Sequence, residues 1–364
     1  MRSLTGTPTD SASEGWAPSP QSSYDPGAAA LALSPYRLVV VRSRDAAIPR
    51  TGVAKRPVRG ADQWRGSLDL VARAPRETIA NVRSRSPLTS LVLVLLLVNA
   101  LPAFVVLQTV PNRTKDWFVW TIQPDANARV LGVMYGNAFL LAAVAWLAPT
   151  WPRLRVAMAV VVPFSVAATI VTLVTLDPFL KHPWYELAYW LVNYGLLFVA
   201  APLAALLEER RGGGRLPLEA PLSQAARIFA GIVAAGLLVY GVALLFELSV
   251  ITSLWPFEIT PLVARILGVW LASLGIAHAY AAWDGDRLRA LPLLVASPVT
   301  GILLALVPLI HRDDVRPDAT TAVSLYLALC ASLVVFGVLG PLGRRDAVRV
   351  EDRVNVPERG QQRA

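Results

Sequence analysis

Apolar and polar positions alternate along this chain on the scale of a bilayer rather than of a single helix face. Eight apolar runs, at approximately 88–110, 130–150, 156–176, 187–207, 228–248, 265–283, 290–310 and 321–341, are each long enough to cross a membrane as a helix. The polar connections are short, the longest of roughly 20 residues, so no inserted soluble domain is available for catalysis. The pattern predicts an all-α, polytopic integral membrane protein with eight transmembrane helices. Any activity then sits in the membrane or at its rim.

Landmarks in the first half of this pattern recur in the second. Arg129-Val-Leu-Gly-Val133 returns as Arg265-Ile-Leu-Gly-Val269, 136 positions on. Trp120 returns as Trp255, Arg153-Leu-Arg155 as Arg287-Leu-Arg289, Asp177 as Asp313, and Arg210-Arg211 as Arg344-Arg345, in unbroken order. The expectation is a parallel 4+4 internal repeat. Four crossings per copy insert both copies the same way up, so the halves should be related by an axis along the membrane normal, with a cavity between them. The expected segments are a tail over 1–86, a first four-helix repeat over 87–212, a linker over 213–227, a second repeat over 228–345 and a tail over 346–364.

Composition narrows the class further. With 55% hydrophobic residues, 16% charged residues and a mean hydropathy of +0.50, a water-soluble globule is excluded. Residues 1–86 are rich in Pro, Ser, Gly and Arg and hold 13 Lys or Arg against 7 Asp or Glu, which predicts a disordered basic tail supplying most of the net charge of +9. Leu68 to Val82 could instead form a short surface helix, and either form would tether to anionic lipid. The basic excess belongs to a membrane-flanking tail, and nucleic acid is not an expected partner. No cleavable signal pattern opens the chain, so the first apolar run is expected to act as the insertion signal.

Orientation follows from the loop arginines. Arg73, Arg76, Arg83 and Arg85, then Arg153 and Arg155, Arg210, Arg211, Arg215 and Arg227, Arg287 and Arg289, and Arg344, Arg345 and Arg349 all fall on one side after eight crossings. That side is expected to be the cytoplasm, which puts both termini there and the protein in the cell membrane. The lone Cys330 cannot form an intramolecular disulfide, and no Cys/His set has metal-ligand spacing, so no metal or cofactor is expected.

Candidate chemistry is sparse. Trp117, Trp120 and Pro124 suit an interfacial aromatic belt; the alternative is that each outer loop folds back as a lid, with Gln123, Asp125 and Glu258 lining an entrance. Such an acidic, amide-bearing rim would favour a cation or a polyol. Arg129 and Arg265 are predicted to open their helices, where they either snorkel to outer phosphates or a loop carboxylate such as Asp125, or form a pair that captures an anion. The remaining polar groups at depth are Asn99, Asn137, Asn193, Glu247 and His278. The three asparagines are expected to bond across helices, the alternative being that they line a substrate path, while Glu247 lies near the outer end of its helix and His278 is expected to be a hydrogen-bonded packing residue. No carboxylate falls at mid-membrane, which disfavours strong coupling to an ion gradient. Asp116 and Asp125, nine apart, could hold a metal or act as a base. Stripes of small residues, Gly132-xxx-Gly136 and Gly268-xxx-Ala272, are expected to face other helices.

At Trp120-Thr-Ile-Gln-Pro124, followed by Arg129-Val-Leu-Gly-Val-Met-Tyr-Gly136, the sequence resembles an uncharacterised family of polytopic membrane proteins from high-GC actinobacteria. In that family a Trp-Thr-Ile-Gln-Pro-Pro segment precedes a small-residue-rich helix; here Asp125 replaces the second proline. The resemblance implies a many-helix fold and lends no activity. Three functional classes stay open: a carrier or permease-like protein binding a small molecule or lipid between the repeats, a non-catalytic accessory subunit with a membrane protein partner in an envelope complex, and an outer-face transferase acting on lipid-linked substrates.

Overall fold

The computed structural model describes residues 85–148, 150–211 and 218–342, all within one compact unit, Val71–Ala364. The expected N-terminal tail up to residue 84, its surface helix and the C-terminal tail lie outside the described residues. Eight helices are long and apolar enough to span a membrane: α1 Pro87–Thr109, α2 Asp125–Leu147, α3 Trp151–Val174, α4 Trp184–Arg210, α5 Gln224–Leu245, α6 Pro261–Asp284, α7 Leu291–Ile310 and α8 Thr320–Leu342. This is a multi-pass, all-α membrane protein. The face at which α1 starts is called near, and the opposite face far.

The helices start and stop where the local chemistry allows. Ser86 caps α1 by accepting a hydrogen bond from the Thr89 N–H, with Pro87 in the first turn, and Ser223 caps α5 through the Ala226 N–H. At the end of α6, Gly285 adopts the left-handed conformation, φ 69°, and its N–H returns to the Ala281 carbonyl. Four helices, α2, α3, α5 and α6, begin four or five residues earlier than the hydropathy pattern predicts, α2 at Asp125 and α6 at Pro261. The first turns of α2 and α6 carry polar or proline residues that hydropathy excludes, of which Asn127 is buried. Arg129 and Arg265 consequently sit in the second turn of their helices instead of opening them. The linker is also shorter than predicted, because α5 already begins at Gln224.

Burial separates an inner from an outer set of helices. Within the spans, α2, α3 and α6 are 67%, 61% and 78% buried, while α1, α4 and α8 are 28% buried and so present most of their surface to lipid. The pairings are the same in each half: α1 packs on α2 as α5 does on α6, α3 on α4 as α7 on α8, and α1 on α4 as α5 on α8. Across the middle, α2 meets α7 and α6 meets α3. In lipid there is little hydrophobic drive between helices, so close packing and buried polar bonds hold them together. The small-residue stripes show where. A Cβ on Gly268 would come within 2.6 Å of the Gly241 carbonyl oxygen of α5, so the α5 and α6 backbones touch. Gly132 and Gly136 instead receive the side chains of Leu107, Gln108 and Phe104 from α1.

On the near face the linker closes the seam. Leu222 N–H donates to the Gly285 carbonyl and Arg287 N–H to Ala220, at 2.8 and 2.7 Å. The Asp286 carboxylate accepts from the backbone N–H groups of Glu219, Ala220, Leu288 and Arg289. Arg289, 1% exposed, pairs with Asp284 at 3.1 Å. Asp286, equally buried and 4.0 Å from the same guanidinium, is tolerable because its oxygens accept from four backbone N–H groups. In the first half Arg155 pairs with Glu209 at 2.7 Å, and Arg153 with Glu219 of the linker at 2.5 Å.

Candidate functional site

On the far face the connections fold inward over the bundle. After α1 the chain makes a short turn, Pro111–Arg113, and one helical turn, Thr114–Trp117, before running extended into α2. The Thr114 hydroxyl fixes that return by bonding both the N–H and the carbonyl of Ile122. Trp120 is thereby driven into the protein, 1% exposed, edge-on to Phe118, Phe179 and Trp190 at 4.7, 5.2 and 5.0 Å. The expectation of an interfacial indole is thus corrected for Trp120; it holds only for Trp117, which is 61% exposed. The second half repeats the device. Trp255, 2% exposed, stands edge-on to Tyr326 at 5.7 Å, and its loop is pinned by Arg316, whose backbone N–H donates to the Pro256 carbonyl.

The two folded loops meet at Asn127, which is fully buried and which the sequence reading did not single out. Its amide nitrogen donates to the backbone carbonyls of Gln123 (3.1 Å) and Glu258 (2.6 Å), and its oxygen accepts from the Trp255 indole at 2.9 Å. One side chain therefore makes three hydrogen bonds, two of which hold the first half to the second. Beside it, the Asp314 carboxylate accepts from the Ala126 N–H at 3.0 Å. Pro124, the residue before α2, offers no capping side chain, so a carboxylate from the opposite half supplies one. His311 lies 3.2 Å from the same carboxylate.

Above this joint is an open depression of about 610 Å³, lined by Gln123, Pro124 and Asp125 from the first half and by Glu258, Ile259, Thr260 and Asp314 from the second. Three of the sequence candidates, Gln123, Asp125 and Glu258, are brought together here. The lining holds three carboxylates, an amide and a hydroxyl, and no basic side chain. Asp125 occupies the first turn of α2, and Glu258 lies just before Thr260, the residue that precedes α6. Both carboxylates face positive helix ends, which stabilise negative charge by roughly 0.3–1 kcal/mol each. The site can thus hold several acceptors at modest cost and offer them to a cation or to hydroxyl groups.

The other candidates go elsewhere. Arg129 donates to the Gln108 carbonyl while Gln108 donates back to that of Arg129, a reciprocal pair tying α2 to α1 at 2.8 and 2.7 Å. Arg265 pairs with Glu247 at 2.5 Å and donates to the Thr175 hydroxyl at 2.7 Å. Arg129 is committed within the first half, Arg265 is committed to Glu247 of its own half and Thr175 of the other, and neither lines the depression, which argues against a joint anion clamp. Glu247 stands just beyond the end of α5 rather than within a span. Asp116 pairs with Arg113 at 3.3 Å, also away from the depression. Among the described residues no three His, Cys, Asp or Glu side chains are placed to hold a metal ion.

Deeper in the bundle the seam between halves is filled. Asn137 of α2 donates to Thr300 of α7 at 2.7 Å, Trp270 of α6 lies 3.8 Å from the Phe164 ring of α3, and the Tyr135 and Tyr194 hydroxyls meet at 2.9 Å. His278 of α6 is fully buried, its Nδ1 bonded to the Leu274 carbonyl and its Nε2 3.3 Å from the Ser297 hydroxyl of α7. Donation from Nδ1 leaves Nε2 to accept, which fixes the tautomer. Asn99 bonds Tyr189 between α1 and α4, and Asn193 bonds back within α4. The chain matches no protein-family model, no curated protein and no solved structure.

Proposed function

We propose that this protein is a solute-binding membrane protein of carrier type, and that the acidic depression on its far face is where a small cation or polyol enters. The observation that carries this reading is the convergence of Asp125, Glu258 and Asp314 with Gln123 and Thr260, from both halves, on one open depression without a basic residue in its lining. The matching helix pairings of the two halves support a duplicated four-helix unit. In a duplicated carrier, rocking one half against the other exposes a shared site to alternate faces. The near face, sealed by the Asp286 and Arg289 cluster and bordered by the loop arginines, is then the cytoplasmic side, and the conformation described is closed there.

The test is uptake into proteoliposomes of spermidine, choline, glycerol and myo-inositol. Saturable uptake of at least one of them, reduced tenfold or more in the Asp125→Asn, Glu258→Gln double variant, is the expected result. Equal uptake by the double variant and wild type overturns it. A second reading has an observation of its own: the filled seam at Asn137, Thr300, Phe164 and Trp270 suits a rigid accessory subunit. That reading expects no flux of any of the four solutes and a membrane protein that copurifies at fixed stoichiometry.

A further inference from the structure

Between α1 and α2, on the lipid-facing side of the first half, runs a groove of about 580 Å³ with only apolar side chains along it, among them Val98, Leu101 and Pro102 of α1 and Phe139, Ala143 and Trp146 of α2. It has a simple origin. Gly132 and Gly136 bring α2 close to α1 toward the far face, and from Phe139 onward bulky residues return, while Pro102 and Ala143 leave the space between the helices unfilled. From Phe139 to Trp146 the groove follows about 10 Å of helix rise. An apolar channel of that length open to the bilayer is filled by hydrocarbon, because lipid tails are the solvent there and an empty groove forfeits dispersion contacts along both walls.

One end of the groove is charged. The Arg85 guanidinium lies 4.1 Å from the Trp146 ring centroid, and its Nη1 donates to the Trp146 carbonyl at 2.8 Å. That bond places a cation at the C-terminal end of α2, where the helix dipole favours it. Only one edge of the guanidinium is used, and among the described residues no carboxylate pairs with Arg85. Glu208, which serves the neighbouring Ser86, is engaged by the Ser86 N–H and the Thr89 hydroxyl. The guanidinium so placed stands beside Trp146, which lines the near-face end of an acyl-sized groove.

We infer that this groove is a binding site for one anionic phospholipid of the near leaflet, its acyl chain lying along Val98, Leu101 and Phe139 and its phosphate held by Arg85. The charge complementarity selects the lipid class: Arg presents a planar fork that matches a phosphate, and stacking on Trp146 holds that fork in place. The corresponding place in the second half is lined differently, since Gly275 stands 136 positions after Phe139 and Leu238 of α5 lies against it. One such lipid per chain is therefore expected. The inference is independent of the solute site, which lies on the opposite face.

The experiment is native mass spectrometry of the full chain released from nanodiscs of equal phosphatidylglycerol and phosphatidylcholine. Wild type should retain one phosphatidylglycerol in preference to phosphatidylcholine. Arg85→Gln should lower that preference about fivefold, the size expected for one interfacial arginine, with an unchanged unfolding temperature, and Arg85→Lys should restore part of it. Ala143→Phe should expel the retained lipid whatever its headgroup. If that variant does not fold, Val98→Trp, entering from a position 63% exposed to the lipid side, makes the same test. Phosphatidylglycerol retention equal in wild type, Arg85→Gln and the groove-filling variant overturns the inference. So does a dimer that the groove-filling variant dissociates, since a second copy would then be the occupant.

Discussion

The two halves of this protein use the same helix pairings and fill them differently. Where α5 crosses α6, Gly241 and Gly268 let backbone meet backbone, and Gly275 packs against Leu238 and the Ala234 carbonyl one to two turns on. Where α1 crosses α2, Gly132 and Gly136 meet side chains instead, and the pair opens into a groove toward the near face. The far-face joint is just as one-sided. Asn127 reaches from the first half to the second, whereas Val263 stands 136 positions later; Asp314 reaches from the second half to the first, whereas Pro178 stands in its place. Matching helix pairings thus carry different chemistry, and both candidate binding surfaces lie where the two halves differ.

The sharpest test of this contrast adds a single methyl group on each side. Gly268→Ala drives a Cβ into the α5 backbone, which has no rotamer with which to yield, and should destabilise the protein by about 3 kcal/mol or prevent folding. Gly132→Ala meets Leu107 and the flexible end of Gln108, and about 1 kcal/mol is expected. Thermal unfolding in a mild detergent reads both; equal effects would break the comparison of the helix pairs. Next in size, Asn127→Ala leaves the Trp255 indole without its partner and cuts the bond to the Glu258 carbonyl. A loss of about 1–2 kcal/mol is expected, with a change in tryptophan emission. Val263→Ala, at the corresponding place, should leave the emission unchanged. The smallest effect is expected for Asp314→Asn, which keeps an acceptor for the Ala126 N–H but removes the charge at the start of α2. It should cost under about 1 kcal/mol, shrinking as salt is raised. A salt-independent loss would mean that the carboxylate acts through packing rather than charge.

The span pattern was legible because membrane burial is a local property: a run of apolar residues announces itself without reference to the rest of the chain. The near-coincident places of Gln123, Asp125 and Glu258, each just before or at the start of an inner helix, were legible for a similar reason, since recurring landmarks align them. What sequence reasoning missed depends on distant partners. Trp120 read as interfacial because an indole at the end of a span suits headgroups equally well, and only Phe179 and Trp190, far along the chain, draw it inside. Asn127 lay in a turn assigned to a loop, with nothing to signal that it would join the halves. Asp314 was one loop carboxylate among several, and its capping of α2 comes from elements 188 positions apart in sequence. For Arg129 and Arg265 the sequence left open phosphates, a loop carboxylate or a shared anion; the structure pairs Arg129 with Gln108 and Arg265 with Glu247 and Thr175.

The account stands on the far-face depression as a solute site, and a single thiol tests it most directly. The native Cys330 is 1% exposed, so Ile259→Cys places the reactive thiol in the lining without removing a carboxylate. Its rate of labelling by a membrane-impermeant maleimide should fall about fivefold or more in the presence of spermidine, choline, glycerol or myo-inositol, and the protection should vanish when Asp125→Asn and Glu258→Gln are added. Labelling at one rate with and without every one of those solutes would contradict the account.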